Sequence, residues 1–370
     1  MAKHPEGLRV VVSELGDTPP DAIERHVHVE AMPAPDPAEL GPHDVLVEVR
    51  AASVGWVDVL MTSGQYQHVP SPPYTPGLEY SGVVLHKGPD AGDHIEVGDR
   101  VLADGFSTGP RSLGDYQRWG GFASYAVAPG SALHRIPGAL DFDQAANLLG
   151  NYETAYHCLI ARGKLAAGES VLIHGASGST GLAAVEVAKI VGARVIATGR
   201  SEEKLRAVVS AGADDVIETR SLPGGLSGLR DRVKALTGGR GVDVVYDGVG
   251  GEISVESLRC LCFGGRFLIV GWAATPFVAK GKGGRGAPNA NVLPTNLIMM
   301  KGLDVLGCPA VISTVKHPSI RPPRLRQVLE WAERGAIRPH VSRRFRLTEA
   351  KDALLAKWRG EVVGSAVLVP

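Results

Sequence analysis

The chain has 370 residues, 44% of them hydrophobic, with 39 basic (Lys+Arg) and 39 acidic (Asp+Glu) side chains. At roughly 150 residues per domain this length predicts two domains, and the apolar fraction excludes disorder as the main state. The zero charge balance leaves no electrostatic footprint for nucleic acid or an anionic membrane, so neither is expected as a partner.

The first 140 residues read as β-rich. VLVEVRAASV (45–54), YSGVVLH (80–86) and DRVLA (99–103) are strand candidates. SPPYTPG (71–77), KGPDAGD (87–93) and EVGD (96–99) are turn signals between them. Short strands with this punctuation predict a small β-barrel or sandwich. From Phe142 the pattern changes, and 143–163 has helical apolar spacing. An alternation follows: strands at 170–175, 193–199, 214–218, 242–248 and 265–271, and helices at 181–192, 201–212 and 229–238. Ser201 is an N-cap candidate, and Gly192 and Gly212 follow helix ends. Wholly apolar strands alternating with helices predict a parallel sheet covered on both faces. A helix at 324–335 leads to a closing strand at 366–370.

Cys158, Cys260, Cys262 and Cys308 form no CxxC pair and no disulfide framework, which fits a reducing compartment. The start of the chain lacks a signal-peptide stretch, and no window approaches the roughly 18 apolar residues that span a bilayer. A cytoplasmic protein is expected.

VLIHGASGSTGLAAVEVAK (171–189) carries the most chemistry. It reads as strand, glycine-rich turn, helix, with Ala176-x-Gly178-x-x-Gly181 in the fingerprint positions. Gly178 lets the backbone approach a pyrophosphate, and Gly181 lets helix and strand pack closely. The helix N-terminus favours the phosphate charge. Ser177, Ser179 and Thr180 add hydroxyl donors. An NAD site places a carboxylate at the end of the second strand. Here that end reads Gly199-Arg200, so the cofactor is expected to be NADPH. Arg200 would meet the 2′-phosphate, helped by Ser201, Lys204 and Arg220. Lys204 and Arg220 read equally well as solvated charges.

Ten segments in order resemble the medium-chain dehydrogenase/reductase superfamily, in its zinc-independent NADPH:quinone oxidoreductase (ζ-crystallin-like) branch. Among them are GPHDVLVEVRAASVGWVDVLMTSGQY (41–66), PGLEYSGVV (76–84), GGFASYAVAP (120–129), NYETAYHCL (151–159), LTGGRGVDVVYDGVGG (236–251) and LPTNLIMMKGLDVLG (293–307). The resemblance implies an α/β chain. It would hold a GroES-like β-barrel catalytic domain (1–142 with 315–370) and a Rossmann doubly wound parallel-sheet cofactor domain (143–314). The ligands of zinc relatives would fall at Gly55, Leu78 and Asn151. None of these suits Zn²⁺, so no metal is expected.

Without a Lewis acid, hydride would pass to an acceptor that is already electrophilic: a quinone, or a conjugated enone or enal. Tyr66 is the candidate proton donor, spaced from Asp58 as in related enoyl reductases, although a lone Tyr also reads as a rim residue. Asp58 either orients Tyr66 or caps a helix start. Thr154 resembles a position near the nicotinamide, although a helical Thr also bonds its own backbone. By the same resemblance Val249, Val270, Gly271, Trp272 and Asn296 are cofactor contacts at strand ends. This chain departs from the branch at Gly55, where Asn is usual, and at Trp56, where Pro is common.

The 106–121 segment is longer than the branch needs and is either a pocket wall or a surface insertion. The basic stretch 278–291, with Lys280, Lys282 and Arg285, is either a flexible surface loop, or a lid or a contact to an anionic ligand. An enoyl-thioester reductase and a non-enzymatic NADPH-binding, crystallin-like sensor remain as alternatives. The resemblance implies a homodimer through sheet edges around 297–312.

Overall fold

The computed structural model describes residues 5–112, 114–278 and 289–370. They fall into two units, 5–150 with 338–370 and 151–278 with 289–337. Lys280, Lys282 and Arg285 lie outside the described residues.

In chain order the first unit opens with β1 (Gly7–Val12), β2 (Val27–Met32), β3 (Asp44–Ser53), β4 (Tyr80–Lys87), β5 (Arg100–Ala103), β6 (Tyr125–Pro129) and β7 (Leu133–Arg135). The second unit carries β8 (Ser170–Ile173), β9 (Arg194–Gly199), β10 (Asp215–Glu218), β11 (Val242–Asp247), β12 (Leu261–Ile269) and β13 (Asp304–Gly307). The chain then returns to the first unit for β14 (Val341–Arg346) and β15 (Ser365–Val369).

In the first unit β1 and β2 form a hairpin-like pair, and the other strands join in the order β14-β15-β3-β4-β5-β7, with β6 also on β3. The ten-residue β3 is the spine. It runs antiparallel to β4 (Val45↔Lys87 to Ala52↔Tyr80), to β6 and to β15. Its alternating Val45, Val47 and Val49 fill one core with Ile23, Tyr80, Phe122, Leu354 and Leu368. Burying that set is the main favourable term for the unit.

The second unit is a six-stranded sheet in the order β10-β9-β8-β11-β12-β13, parallel throughout. All four residues of β8 are buried, as expected of a strand covered on both faces. The helix Ser179–Val191 follows β8 and stops where Gly192 turns left-handed, its N–H capping Ala188 O and Lys189 O.

Four local expectations are corrected. The single helix over 143–163 is instead Phe142–Ala145, Leu149–Tyr156 and a π-helical turn His157–Arg162. The strand expected from 265 begins at Leu261, which pairs with Val242; after a register irregularity the regular pairing resumes at Val244↔Arg266. Of 297–312 only Asp304–Gly307 is strand; Thr295–Lys301 and Ala310–Lys316 are helices. Ser201 sits at the N-cap of Glu202–Ser210, but its side chain bonds no helix N–H.

The units divide at Gly150 and Ile337, where the sequence suggests 142 and 314. Ser53 Oγ donates to Asn147 Oδ1 at 2.6 Å, which keeps 143–150 with β3. Arg321 and Arg324 bind Glu153, which keeps 321–333 with the sheet unit.

Candidate functional site

The glycine-rich turn is built as its residue types require. Gly175 has φ +63°, in the left-handed region. A Cβ on Gly181 would stand 2.4 Å from Gly175 O and 2.7 Å from Ala176 Cα, so any side chain there forces helix and strand apart. A Cβ on Gly178 would meet nothing nearer than 3.4 Å. The protein leaves the space over Gly178 open, at the N-cap of a 13-residue helix. Half-buried Ser177, Ser179 and Thr180 line it. Thr180 Oγ1 donates to Asn151 Oδ1 at 3.1 Å, so that hydroxyl is engaged inside the protein.

Sequence reasoning missed the support beneath the turn. Buried His174 bridges Thr198 Oγ1 (2.8 Å, through Nδ1) and Ser257 Oγ (2.6 Å, through Nε2). Burial lowers its pKa, so the ring is held neutral. The signal was present as a lone histidine directly after the apolar run of β8.

Arg200 is exposed directly after β9, and Arg220 is exposed just after β10. Gly199 pairs with Glu218, and Thr219 Oγ1 donates to Gly199 O at 3.2 Å. The two arginines therefore leave the same end of neighbouring strands. Half-buried Ser201 and Lys204 follow Arg200 on the same stretch.

At the end of β11, buried Asp247 organises the next turn. Its Oδ1 accepts from the N–H groups of Val249 and Gly250 at 2.9 Å each, and its Oδ2 accepts from Ser254 Oγ at 2.5 Å. Its backbone carbonyl accepts from both Val270 N and Gly271 N. Of the backbone groups expected to meet a cofactor at Val270 to Trp272, the Val270 and Gly271 N–H groups are spent inside the fold. Their carbonyls and the partly exposed Trp272 remain as candidates. Val249 packs over Gly175, its Cγ2 3.1 Å from where a Cβ there would lie. Asn296 is exposed in the helix Thr295–Lys301. Thr154 lies within Leu149–Tyr156, beside the enclosed Glu153.

In the β unit Asp58 is buried, and its carboxylate is filled by backbone. Oδ2 accepts from Gly55 N (2.9 Å); Oδ1 accepts from Gly77 N and Leu78 N (3.1 Å each). It caps the helix Trp56–Met61 and pins the Gly77–Leu78 turn, and it forms no bond to Tyr66. Burial raises its pKa to about 6 against those three bonds, with the Arg111 charge also opposing the rise. Half-buried Tyr66 stands edge-on to His68, with ring centroids 6.3 Å apart. Trp56 stacks on Trp358 at 5.4 Å. The structure thus brings the fingerprint residues together and sets Asp58 to work on the backbone.

Two family models match the chain: the alcohol dehydrogenase GroES-like domain over 41–138 and the zinc-binding dehydrogenase over 179–331. Quinone oxidoreductase-like protein 2 of Mus musculus is 32% identical over 333 residues, 90% of this chain and 86% of that one. Quinone oxidoreductase of Homo sapiens is 34% identical over 233 residues, 63% of this chain and 66% of that one. A probable oxidoreductase from Mycobacterium abscessus superposes with TM-score 0.79 at 30% identity, covering 99% of this chain and 100% of that one. A mycobacterial protein solved in complex with NADPH gives TM-score 0.77 at 26% identity, covering 98% and 100%. The fold and these relatives define an oxidoreductase of the medium-chain dehydrogenase/reductase superfamily. Within it, the chain belongs to the quinone oxidoreductase branch.

The name of one matching model raises the question of zinc. At the three positions where the resemblance would put zinc ligands, Gly55 and Leu78 offer no donor side chain, and Asn151 offers an amide oxygen already bonded to Thr180. These residues do not fit a catalytic zinc. Among the described residues no group of three or more His, Cys, Asp or Glu is arranged to hold a metal ion, and no helix is long and apolar enough to cross a membrane.

Proposed function

We propose that the protein is a zinc-independent reductase that moves a hydride from NADPH to a quinone, or to a conjugated enone or enal. The observation that supports it best is the end of β9. Arg200 stands there in place of a carboxylate, with Arg220 beside it and the open glycine turn on the neighbouring strand. That donor set suits a dinucleotide with a 2′-phosphate. The group, once bound, supplies the hydride.

The chain's own residues do the rest. Gly178 and the helix N-terminus receive the pyrophosphate, with Ser177 and Ser179 as further donors. Ser201 and Lys204 support Arg200. Val249, Trp272 and the carbonyls of Val270 and Gly271 border the nicotinamide, with Thr154 and Asn296 near it. Tyr66 donates a proton when a C=C bond is reduced, and Asp58 holds the Gly55 and Gly77–Leu78 backbone in shape. The protein works in the cytoplasm as a homodimer, through β13 and the exposed Met299 and Met300 next to it.

The test is nicotinamide oxidation with 9,10-phenanthrenequinone and with 3-buten-2-one, NADH serving as control. Turnover of either acceptor with NADPH preferred supports the reading. A loss of about 10²-fold on enone turnover in Tyr66→Phe, with quinone turnover unchanged, assigns the proton to Tyr66. Tight NADPH binding without turnover of either acceptor refutes it.

A further inference from the structure

All four cysteines are free thiols, and all lie in the sheet unit. Cys260 and Cys262 flank the start of β12. Cys158 and Cys308 are 150 residues apart in the chain, yet they meet in the fold.

Cys158 lies in the π-helical turn His157–Arg162, a rare form that collects at functional sites. Cys308 directly follows β13, the edge strand of the sheet. The turn touches that strand end twice. Cys158 Sγ donates to Cys308 O at 4.0 Å, and Arg162 Nε donates to Gly307 O at 3.1 Å. Cys308 Sγ donates to Leu306 O at 3.5 Å.

The two thiols also stand within hydrogen-bonding reach of each other. That contact, together with burial, raises the pKa of Cys158, so it keeps its proton. The same contact, opposed by burial and helped by the Arg162 charge, lowers that of Cys308. Cys260 and Cys262 are both raised, chiefly by burial. Cys308 is therefore the thiol shifted toward thiolate, the nucleophilic form. It is also nearer to water than its neighbour. Cys308 is 3% exposed and sits between exposed Gly307 and Pro309, whereas Cys158 is 0% exposed between buried His157 and Leu159.

A third group attends the pair. Tyr246, buried on β11, feels both sulfurs, and its hydroxyl has no hydrogen-bond partner among the described residues. Buried hydroxyls are normally paired, and a free donor beside two sulfurs favours an oxygen added to one of them.

We propose that Cys158 and Cys308 form a reversible oxidation site, at which a hydroperoxide converts the two thiols to a disulfide that ties the π-helical turn to the end of β13. No hydride chemistry is involved, so the site stands apart from the reductase reading. Cys308, as thiolate, attacks the peroxide. An S–O bond forms, the O–O bond breaks, and the leaving hydroxide or alkoxide takes up the thiol proton. Cys308 is then a sulfenic acid. Cys158 attacks that sulfur: the S–S bond forms, the S–O bond breaks, and the hydroxyl leaves as water with the Cys158 proton. The peroxide has gained two electrons and each sulfur has given one. A dithiol reductant returns both, as a reducing compartment requires of a transient disulfide.

The experiment uses the full chain, reduced and then treated with a few equivalents of hydrogen peroxide. Remaining thiols are blocked and the digest is read by mass spectrometry. The Cys158 and Cys308 peptides should appear joined, lighter by two hydrogen atoms than their sum, with Cys260 and Cys262 blocked as thiols. Dithiothreitol should return all four. Peroxide should consume Cys308 at least about tenfold faster than Cys260. Cys158→Ser should stop at the sulfenic acid, captured on Cys308 by dimedone, and Cys308→Ser should leave Cys158 a thiol.

A joined pair that includes Cys260 or Cys262 overturns the proposal, and so does the same mixture of pairings that the urea-unfolded chain gives. Cys158 and Cys308 remaining thiols while Cys262 oxidises also overturns it, as does a Cys308 that passes to sulfinic acid without joining Cys158. All of these are read on the wild-type protein, so they decide the matter even where a serine variant does not fold.

Discussion

Glu153 in the sheet unit and Asp58 in the β unit are equally enclosed, yet they are satisfied in different ways. Glu153 meets two guanidiniums, with Arg321 at 2.8 Å and Arg324 at 2.8 Å, and Arg324 reaches on to Thr314 at 2.7 Å. Asp58 meets three backbone N–H groups and no cation within bonding distance. The ion pairs of the sheet unit cross 168 and 171 residues of sequence and hold a scaffold whose binding surface is backbone: glycines, carbonyls and a helix end. Around Asp58 the Arg111 and Lys357 charges are felt without a bond, and several buried polar atoms of the β unit have no partner among the described residues. Buried charge that is paired builds a frame. Buried charge held by backbone N–H groups alone fixes a turn.

Breaking the frame should produce the largest effect. Glu153→Gln leaves Arg321 and Arg324 enclosed without their counter-charge, with His157 beside them already held neutral by a pKa pushed down to about 4, chiefly by burial. The expected cost is about 3–5 kcal/mol of stability in the sheet unit. Urea denaturation measures it. A loss below about 1 kcal/mol means the network is dispensable and the contrast with Asp58 does not hold.

The Asp58 side of the comparison is sharpened by pH. In the fold its carboxyl titrates at about 6, against an ordinary value of 3.8, because burial outweighs its three hydrogen bonds. The folded state therefore keeps a proton that the unfolded chain has released, and stability falls as pH rises from about 4 to about 6, then levels off. Arg111, Lys357 and Tyr74 face this carboxyl, and Lys357, pushed down to about 8 by burial, stays charged across the window. The expected span is on the order of 2–3 kcal/mol. Subtracting the Asp58→Asn stability curve from the wild-type curve between pH 4 and 7 isolates it. A flat difference shows that Asp58 ionises in the fold as it does in water.

What was legible in the sequence follows the same division. The glycine turn is written locally. Gly178 and Gly181 lie three residues apart because a helix must start over one and close on the other, and a Cβ at Gly181 meets backbone at 2.4 Å. The strand end at Arg200 is equally local. The pairing of Asp58 with Gly77 and Leu78 spans 19 and 20 residues, and no periodicity announces it. Arg111 reads as a surface arginine until Gly105, Leu78 and Phe106 fold around it. The extension of β12 back to Leu261 depends on a partner strand, so it too was out of reach of local pattern.

The smallest effect tests the half of the comparison that depends on an exposed group. Arg200 stands in solvent at the end of β9, so water and salt screen its charge, and its contribution is that of one charge-assisted contact and no more. Arg200→Ala should weaken NADPH about tenfold, roughly 1.4 kcal/mol, and leave NADH affinity unchanged. Arg220→Ala should cost less, since Arg220 sits one strand farther from the glycine turn. The preference for NADPH should also shrink in high salt for the wild type, and shrink less in Arg200→Ala, because the charge being screened is gone. Titration of both cofactors at two ionic strengths reads all three effects. Equal losses of NADPH and NADH in Arg200→Ala would show that the arginine holds the end of β9 in shape and takes no part in choosing the cofactor.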